Sequence, residues 1–252
     1  MSAIDKVDLL GFSLGGFITQ VIARQEPALV RKIILAGTGP AGGEGIVNVT
    51  NLTYFDTFKA FATFKDPKEY LFFTRTPNGK SKAREFVRRL KERTDDRDKA
   101  VALRAFRAQL KAIHEWGLEK PADLGRIQHP ALVVNGDADR MVPTSSSYDL
   151  ARRLPNAMRR IYPDAGYAGI FQFHERFVSE TLEFLGRDAR PSRVAWAARG
   201  RSCSVDEHAG AAHRRGDQLE IDGTVLAGEF IGVVSVTIGD CPHQSLVFVQ
   251  GP

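Results

Sequence analysis

The sequence predicts an α/β fold: a parallel sheet flanked by helices and interrupted by a helical insertion. Three observations carry this. A short apolar strand runs through a glycine-bracketed turn into a buried helix at residues 7–23. Two further apolar strands, Lys32–Ala36 and Ala131–Asn135, are each followed by turn chemistry. Between them about seventy residues read as helix with no strand signal.

Val7–Leu10 is the first strand, Gly11-Phe12-Ser13-Leu14-Gly15-Gly16 the turn, and Phe17–Ala23 the helix. Lys32–Ala36 ends in Gly37-Thr38-Gly39-Pro40, which cannot continue a strand. Two strands joined by a helix are expected to lie parallel. From Asn48 to Lys120 the periodicity is helical. Phe55, Phe58, Phe61 and Phe64 recur at three-residue spacing, which points to core packing or to the lining of an apolar pocket, and Ala102–Ile113 carries a second stripe. Ala131–Asn135 then restores a buried strand, Ser145–Leu154 a helix, Ala157–Tyr162 a strand and Ile170–Leu185 a closing helix. Domains follow: residues 1–47 and 121–186 form the core, 48–120 a helical cap, and 187–252 a linker with a small β element. In the last stretch Asp222-Gly223 reads as a hairpin turn and 229–238 is strand-like.

The 252 residues are 43% hydrophobic and 26% charged, so the chain can bury a core. Its two cysteines, Cys203 and Cys241, provide neither a disulfide framework nor zinc-ligand spacing, and no metal or cofactor is expected. Residues 1–8 lack a basic region and no apolar run is long enough to span a bilayer. The expectation is therefore a cytoplasmic protein with no membrane partner. Net charge is +5, with thirteen Lys/Arg against five Asp/Glu between Arg75 and Lys111. Interspersed acids make that segment a solvated helical face, and no nucleic-acid partner is expected.

The chemistry concentrates at Gly11-Phe12-Ser13-Leu14-Gly15, which fits Gly-x-Ser-x-Gly between a strand and a helix. The glycines allow a strained turn that presents the serine hydroxyl at a helix N-terminus, with the Leu14 N–H aimed at a developing oxyanion. Neither Gly-x-Gly-x-x-Gly nor Gly-Lys-Ser/Thr is present, which argues against a nucleotide-phosphate loop.

On these residues the chain resembles the α/β-hydrolase superfamily, specifically its capped esterase-like members, over about Asp5–Gly186. The expectation is a partial α/β-hydrolase fold. The resemblance implies Ser13 as nucleophile. It extends to Gly136-Asp137-Ala138-Asp139, in which Asp139, favoured over Asp137, would orient the base. It extends also to Asp164-Ala165-Gly166-Tyr167-Ala168-Gly169, where the family pattern has histidine at the place of Tyr167. A phenol, with its usual pKa of about 10, is a poor acceptor for the serine proton, and it lacks a second ring nitrogen to engage Asp139. His174, seven residues on and about one turn into the last helix, is the candidate substitute base; a packed or surface histidine is the blander reading, as for His114 and His129.

The resemblance further implies strands before the first one read here, so the chain reads as N-terminally truncated, with an apolar edge at Val7–Leu10 open to self-association. The functional expectation is a serine hydrolase acting on an ester-like bond of a small apolar substrate, impaired by Tyr167. The alternative is a non-catalytic ligand-binding relative of such an enzyme.

Overall fold

The computed structural model describes residues 6–92, 102–187, 220–221, 224–225, 236–237 and 245–250. The linker read over 188–215, the tail histidines His208, His213 and His243, and both cysteines lie outside the described residues.

Strand β1 (Val7–Phe12) runs into helix α1 (Leu14–Gln25), and β2 (Val30–Ala36) returns beside it in parallel, with Leu10 opposite Ile34. After a 3-10 turn at Ile46–Asn48 come four helices: α2 (Val49–Ala62), α3 (Pro67–Leu71), α4 (Pro77–Glu92) and α5 (Leu103–Leu118). Then follow β3 (Ala131–Gly136), α6 (Thr144–Arg153), β4 (Ala157–Tyr162), α7 (Gly169–Gln172) and α8 (His174–Gly186). The strands β4, β3, β2 and β1 lie side by side, all parallel. This is the parallel α/β architecture expected from the apolar runs.

Burial follows from the topology. A parallel sheet covered on both faces needs strands that are apolar throughout, and Ile33, Ile34, Leu35, Leu132, Val133 and Val134 are all nearly inaccessible. One layer, with Leu10, Phe12, Ile34, Val134 and Tyr162, packs under the helical insertion and α8. The other, with Leu9, Ile33, Leu35 and Val133, packs against Ile22 and Leu150.

Three expectations are corrected. The free edge foreseen at Val7–Leu10 is filled: β8 (Ser245–Gln250) pairs in parallel along all of β1, from Val7 opposite Ser245 to Phe12 opposite Gln250. Its far side carries β7 (Val236–Thr237), antiparallel. A short apolar strand will accept any strand that offers its backbone groups, and here the chain's own C-terminal segment does so. The premise for self-association through that edge is thereby removed. Second, the closing helix is broken at Phe173, which caps both α7 and α8, so His174 opens α8 instead of lying a turn inside. Third, the cap phenylalanines neither pack in the core nor line a pocket. Phe58, Phe61 and Phe64 are 72%, 82% and 100% exposed. The buried side of α2 is made by Val49, Thr53, Asp56 and Ala60 instead.

Among the described tail residues, β5 (Glu220–Ile221) and β6 (Thr224–Val225) pair antiparallel across Asp222-Gly223. Among the described residues no helix is long and apolar enough to cross a membrane.

Candidate active site

Ser13 follows β1 and caps α1 with φ 58° and ψ −123°. That is a conformation L-residues other than glycine rarely adopt, and a non-glycine residue held there marks a site where the surroundings impose strain. The surroundings are visible. The Ser13 N–H donates to the Ala36 carbonyl (3.0 Å), Gly16 N–H donates to the Ser13 carbonyl (2.9 Å), and Thr38 Oγ1 donates to the same carbonyl (2.8 Å). Gly11 is needed because a Cβ there would sit 2.4 Å from both the Gly15 carbonyl and Thr19 Oγ1. Gly16 is needed because a Cβ would strike the Thr38 side chain at 2.4 Å. Leu14 is the first residue of α1, so its N–H has no intrahelical acceptor and stands beside the serine.

Asp139 lies in the loop after β3 and is buried, at 7% exposure. Its Oδ1 accepts from Met141 N–H (2.8 Å) and Val142 N–H (3.0 Å), while its Oδ2 is buried with no hydrogen-bond partner. Burial dominates the electrostatics, against the opposing hydrogen bonds from Val142, Met141 and the Asn135 side chain, and pushes the Asp139 carboxyl up to about 7. Asp137 is turned away and exposed. Its carboxylate accepts from Ala165 N–H at 3.3 Å and so serves the shape of the loop.

Tyr167 follows β4 and is almost wholly buried. Its ring packs on Phe12 (centroids 4.8 Å apart) and Phe72 (5.3 Å). Its phenol lies within electrostatic reach of the Ser13 hydroxyl and the Asp139 carboxylate. Burial first, then that negative charge, hold its pKa well above the ordinary phenol range, and the Ser13 hydroxyl only partly offsets them. Ser13, Asp139 and Tyr167 thus meet at the carboxyl ends of β1, β3 and β4, the rim where ligands bind in parallel α/β sheets.

His174 is not brought into this group. It lies against α4, with its ring nitrogens 3.4 and 3.5 Å from Arg89 Nη1. His114 approaches the Val47 carbonyl (3.3 Å), and His129 the Pro27 carbonyl (3.0 Å); both are structural contacts.

Two features of the site escape sequence reading. Asp164, at φ 51°, accepts from Thr74 Oγ1 (3.0 Å), Thr76 Oγ1 (2.9 Å) and Asn78 Nδ2 (2.8 Å), and those donors hold its carboxyl below the usual range. With the Ala168 N–H donating to the Phe72 carbonyl (2.9 Å), it ties the Tyr167 loop to the link between α3 and α4. Arg140, next to Asp139, donates to the fully buried Asp56 of α2 (3.1 Å), with Arg75 3.6 Å from the other Asp56 oxygen. Both contacts join segments distant in sequence, and no local pattern announces them. The polar Asn135 ending an apolar strand was the one available signal.

A comparison with known protein families agrees with this geometry: the family described as alpha/beta hydrolase fold matches residues 2–172. The chain belongs to the alpha/beta hydrolase fold family. A solved alpha/beta hydrolase fold protein from Chitinophaga pinensis is 40% identical, with a TM-score of 0.65, over 74% of this chain and 66% of that one. An alpha/beta hydrolase from a Medee basin deep-sea metagenome library is 17% identical with a TM-score of 0.55, over 76% of this chain and 69% of its own; that likeness is one of fold alone. Among curated proteins, a 2-hydroxy-6-oxononadienedioate/2-hydroxy-6-oxononatrienedioate hydrolase of Klebsiella pneumoniae is 28% identical over 73% of this chain. A hydrolase of the same description from Dechloromonas aromatica is 27% identical over 72%. The chain spans 64% and 63% of the length of these two relatives.

Proposed function

We propose that this alpha/beta hydrolase fold protein is a base-deficient serine hydrolase. It retains the nucleophile Ser13, the oxyanion donor Leu14 N–H and the acid Asp139, carries Tyr167 in the position of the base, and binds a small carbonyl ligand far better than it turns one over. The observation that carries this reading is the pair of hydroxyls at its centre. Ser13 faces a phenol that burial and the Asp139 charge make hard to deprotonate, so no group beside the serine accepts its proton at neutral pH.

The state of Asp139 supports the same conclusion. In a working triad the acid is ionised and accepts an N–H from the base. Here Oδ2 has no donor, and the carboxyl holds a proton up to about pH 7. Tyr167 beside it offers a phenol, which has no ring N–H to donate as the base of a triad does. What remains is electrostatic help from the helix N-terminus and the Leu14 N–H, which sustains binding of a polarised carbonyl and residual turnover.

The ligand class is narrowed by two supports. The buried aromatic wall of Phe12, Phe72 and Tyr167 favours an apolar body next to the carbonyl. The names of the curated relatives describe hydrolases of oxo-dioates, small carbonyl compounds. An ester-like carbonyl is the simplest ligand that meets both.

Labelling with a fluorophosphonate probe, which needs an activated serine, tests the reading. The unmodified chain should label slowly, Ser13→Ala should not label, and Tyr167→His should label faster than the parent. Rapid stoichiometric labelling of the unmodified chain would overturn the proposal, and loss of that labelling in His174→Ala would transfer the base to His174.

A further inference from the structure

Helix α2 carries its phenylalanines on the side opposite the one that packs against the protein. With about 100° between successive residues, Thr53, Asp56 and Ala60 fall on the buried side, whereas Phe55, Phe58 and Phe61 cover about a third of the circumference on the far side. These three are 63%, 72% and 82% exposed, and the series ends in Phe64, 100% exposed at the tip beyond the helix. Phe64 has φ 53°, a conformation unfavourable for a bulky L-residue, and its ring gains no packing inside the molecule in return. At about 200 Å² per phenylalanine, the exposed rings amount to roughly 600 Å², at the upper limit of what a soluble monomer shows.

The ridge has a basic rim. Lys59 and Lys65 both stand over the ring of Tyr70, with their ammonium groups 5.1 and 5.6 Å from its centroid. Neither has a carboxylate partner among the described residues. Both lysines belong to the same segment as the ridge, Lys59 between Phe58 and Phe61 in sequence and Lys65 next to Phe64. Asp66, next to Lys65, is engaged by Lys68, and Asp56 by Arg140 and Arg75.

We propose that α2 and the turn after it dock on an anionic phospholipid surface, with Phe58, Phe61 and Phe64 entering the interface and Lys59 and Lys65 meeting the phosphates. Phenylalanines backed by lysines on a polar rim are the pattern of a helix lying in a headgroup region. The shape separates lipid from a protein partner. A stable protein interface buries about 800 Å² per side across matched surfaces, whereas here the apolar groups project as a narrow ridge ending in a single ring. Fluid acyl chains accommodate such a ridge. The expectation of no membrane partner rested on the lack of a spanning segment, and a peripheral helix needs none.

Co-sedimentation of the full chain with vesicles tests the proposal. Binding should be clear on mixed phosphatidylcholine and phosphatidylglycerol vesicles, weak on phosphatidylcholine alone, and reduced by salt. The triple variant Phe58→Ser, Phe61→Ser, Phe64→Ser should lose at least about tenfold in partitioning, and Lys59→Glu with Lys65→Glu about fivefold per lysine. All these side chains lie at the surface, so circular dichroism should match the parent, and Ser13→Ala should bind vesicles like the parent. Absence of binding to mixed vesicles, or binding that survives the triple substitution of Phe58, Phe61 and Phe64, overturns the proposal. A parent dimer in sedimentation velocity that the triple phenylalanine variant converts to monomer would assign the ridge to a second copy and overturn it equally.

Discussion

Replacing Asp139 by asparagine should change how stability depends on pH, and the structure sets both the sign and the size. The folded-state value of about 7 stands above the ordinary 3.8, so between those values the folded chain binds more protons than the unfolded one. Stability from this group is therefore complete below about pH 4 and is lost as pH rises through 7. The full span of about three pKa units corresponds to about 4 kcal/mol, most of which should disappear between pH 5 and pH 8.5. Asp139→Asn does not titrate. Its carbonyl can keep the bonds from Met141 and Val142, and its NH₂ would occupy the place of the partnerless Oδ2. The assay is urea unfolding of parent and variant at several pH values from 5 to 8.5, read as the difference in free energy at each. That difference should shift toward the variant by 2 to 3 kcal/mol, roughly, as pH rises. A difference that stays flat, or shifts toward the parent, would refute the reasoning.

Strain at Ser13 predicts that Ser13→Gly is more stable than Ser13→Ala by about 1 kcal/mol, since both lose the hydroxyl and only glycine relaxes at φ 58°; denaturation midpoints of the two compare them. Gly11→Ala should cost about 1 to 3 kcal/mol and abolish what probe labelling Ser13 retains, because backbone, not a flexible side chain, blocks the new Cβ. Arg140→Ala should destabilise by about 1.5 to 3 kcal/mol, leaving Asp56 buried with only Arg75 nearby, and Asp56→Asn in the same background should recover part of that; thermal denaturation reads both.

The core of the fold was legible because its strands are unbroken apolar runs and its elbow is a local pattern. Val7–Leu10, Lys32–Ala36 and Ala157–Tyr162 all appear as strands, extended by a residue or two where hydrogen bonding reaches into Phe12 or back to Val30. Ser13 could be picked out from its elbow, and Asp139 and Tyr167 from the resemblance of their loops to the family's patterns. What was not legible is contact between segments far apart. Periodicity marks Phe55, Phe58 and Phe61 as one face of a helix, yet it does not say which face the protein covers, and Thr53, Asp56 and Ala60 won that side through Arg140 and Arg75. The pairing of β8 with β1 was equally beyond reach, because a strand's edge partner is fixed by tertiary position and not by its own sequence. Likewise, His174 was placed inside a helix because nothing in its neighbourhood signals the break at Phe173.

The most direct measurement is the hydrolysis of a short-chain aryl ester by the parent, by Tyr167→His and by Tyr167→His with Ser13→Ala. A histidine at this position would place a base with an unperturbed pKa of about 6.5 beside Ser13 and could donate its second N–H to the partnerless Asp139 Oδ2. General-base catalysis is worth about two to four orders of magnitude where the geometry is sound. The account predicts that kcat/KM rises in Tyr167→His by at least tenfold, roughly, the low end being set by the loss of ring packing on Phe12 and Phe72. The gain should appear above a pH midpoint near that of a histidine and vanish with Ser13→Ala. A folded Tyr167→His protein no more active than the parent, or a parent already turning over the ester at the rate of the variant, would contradict the claim that Tyr167 stands in the place of the missing base.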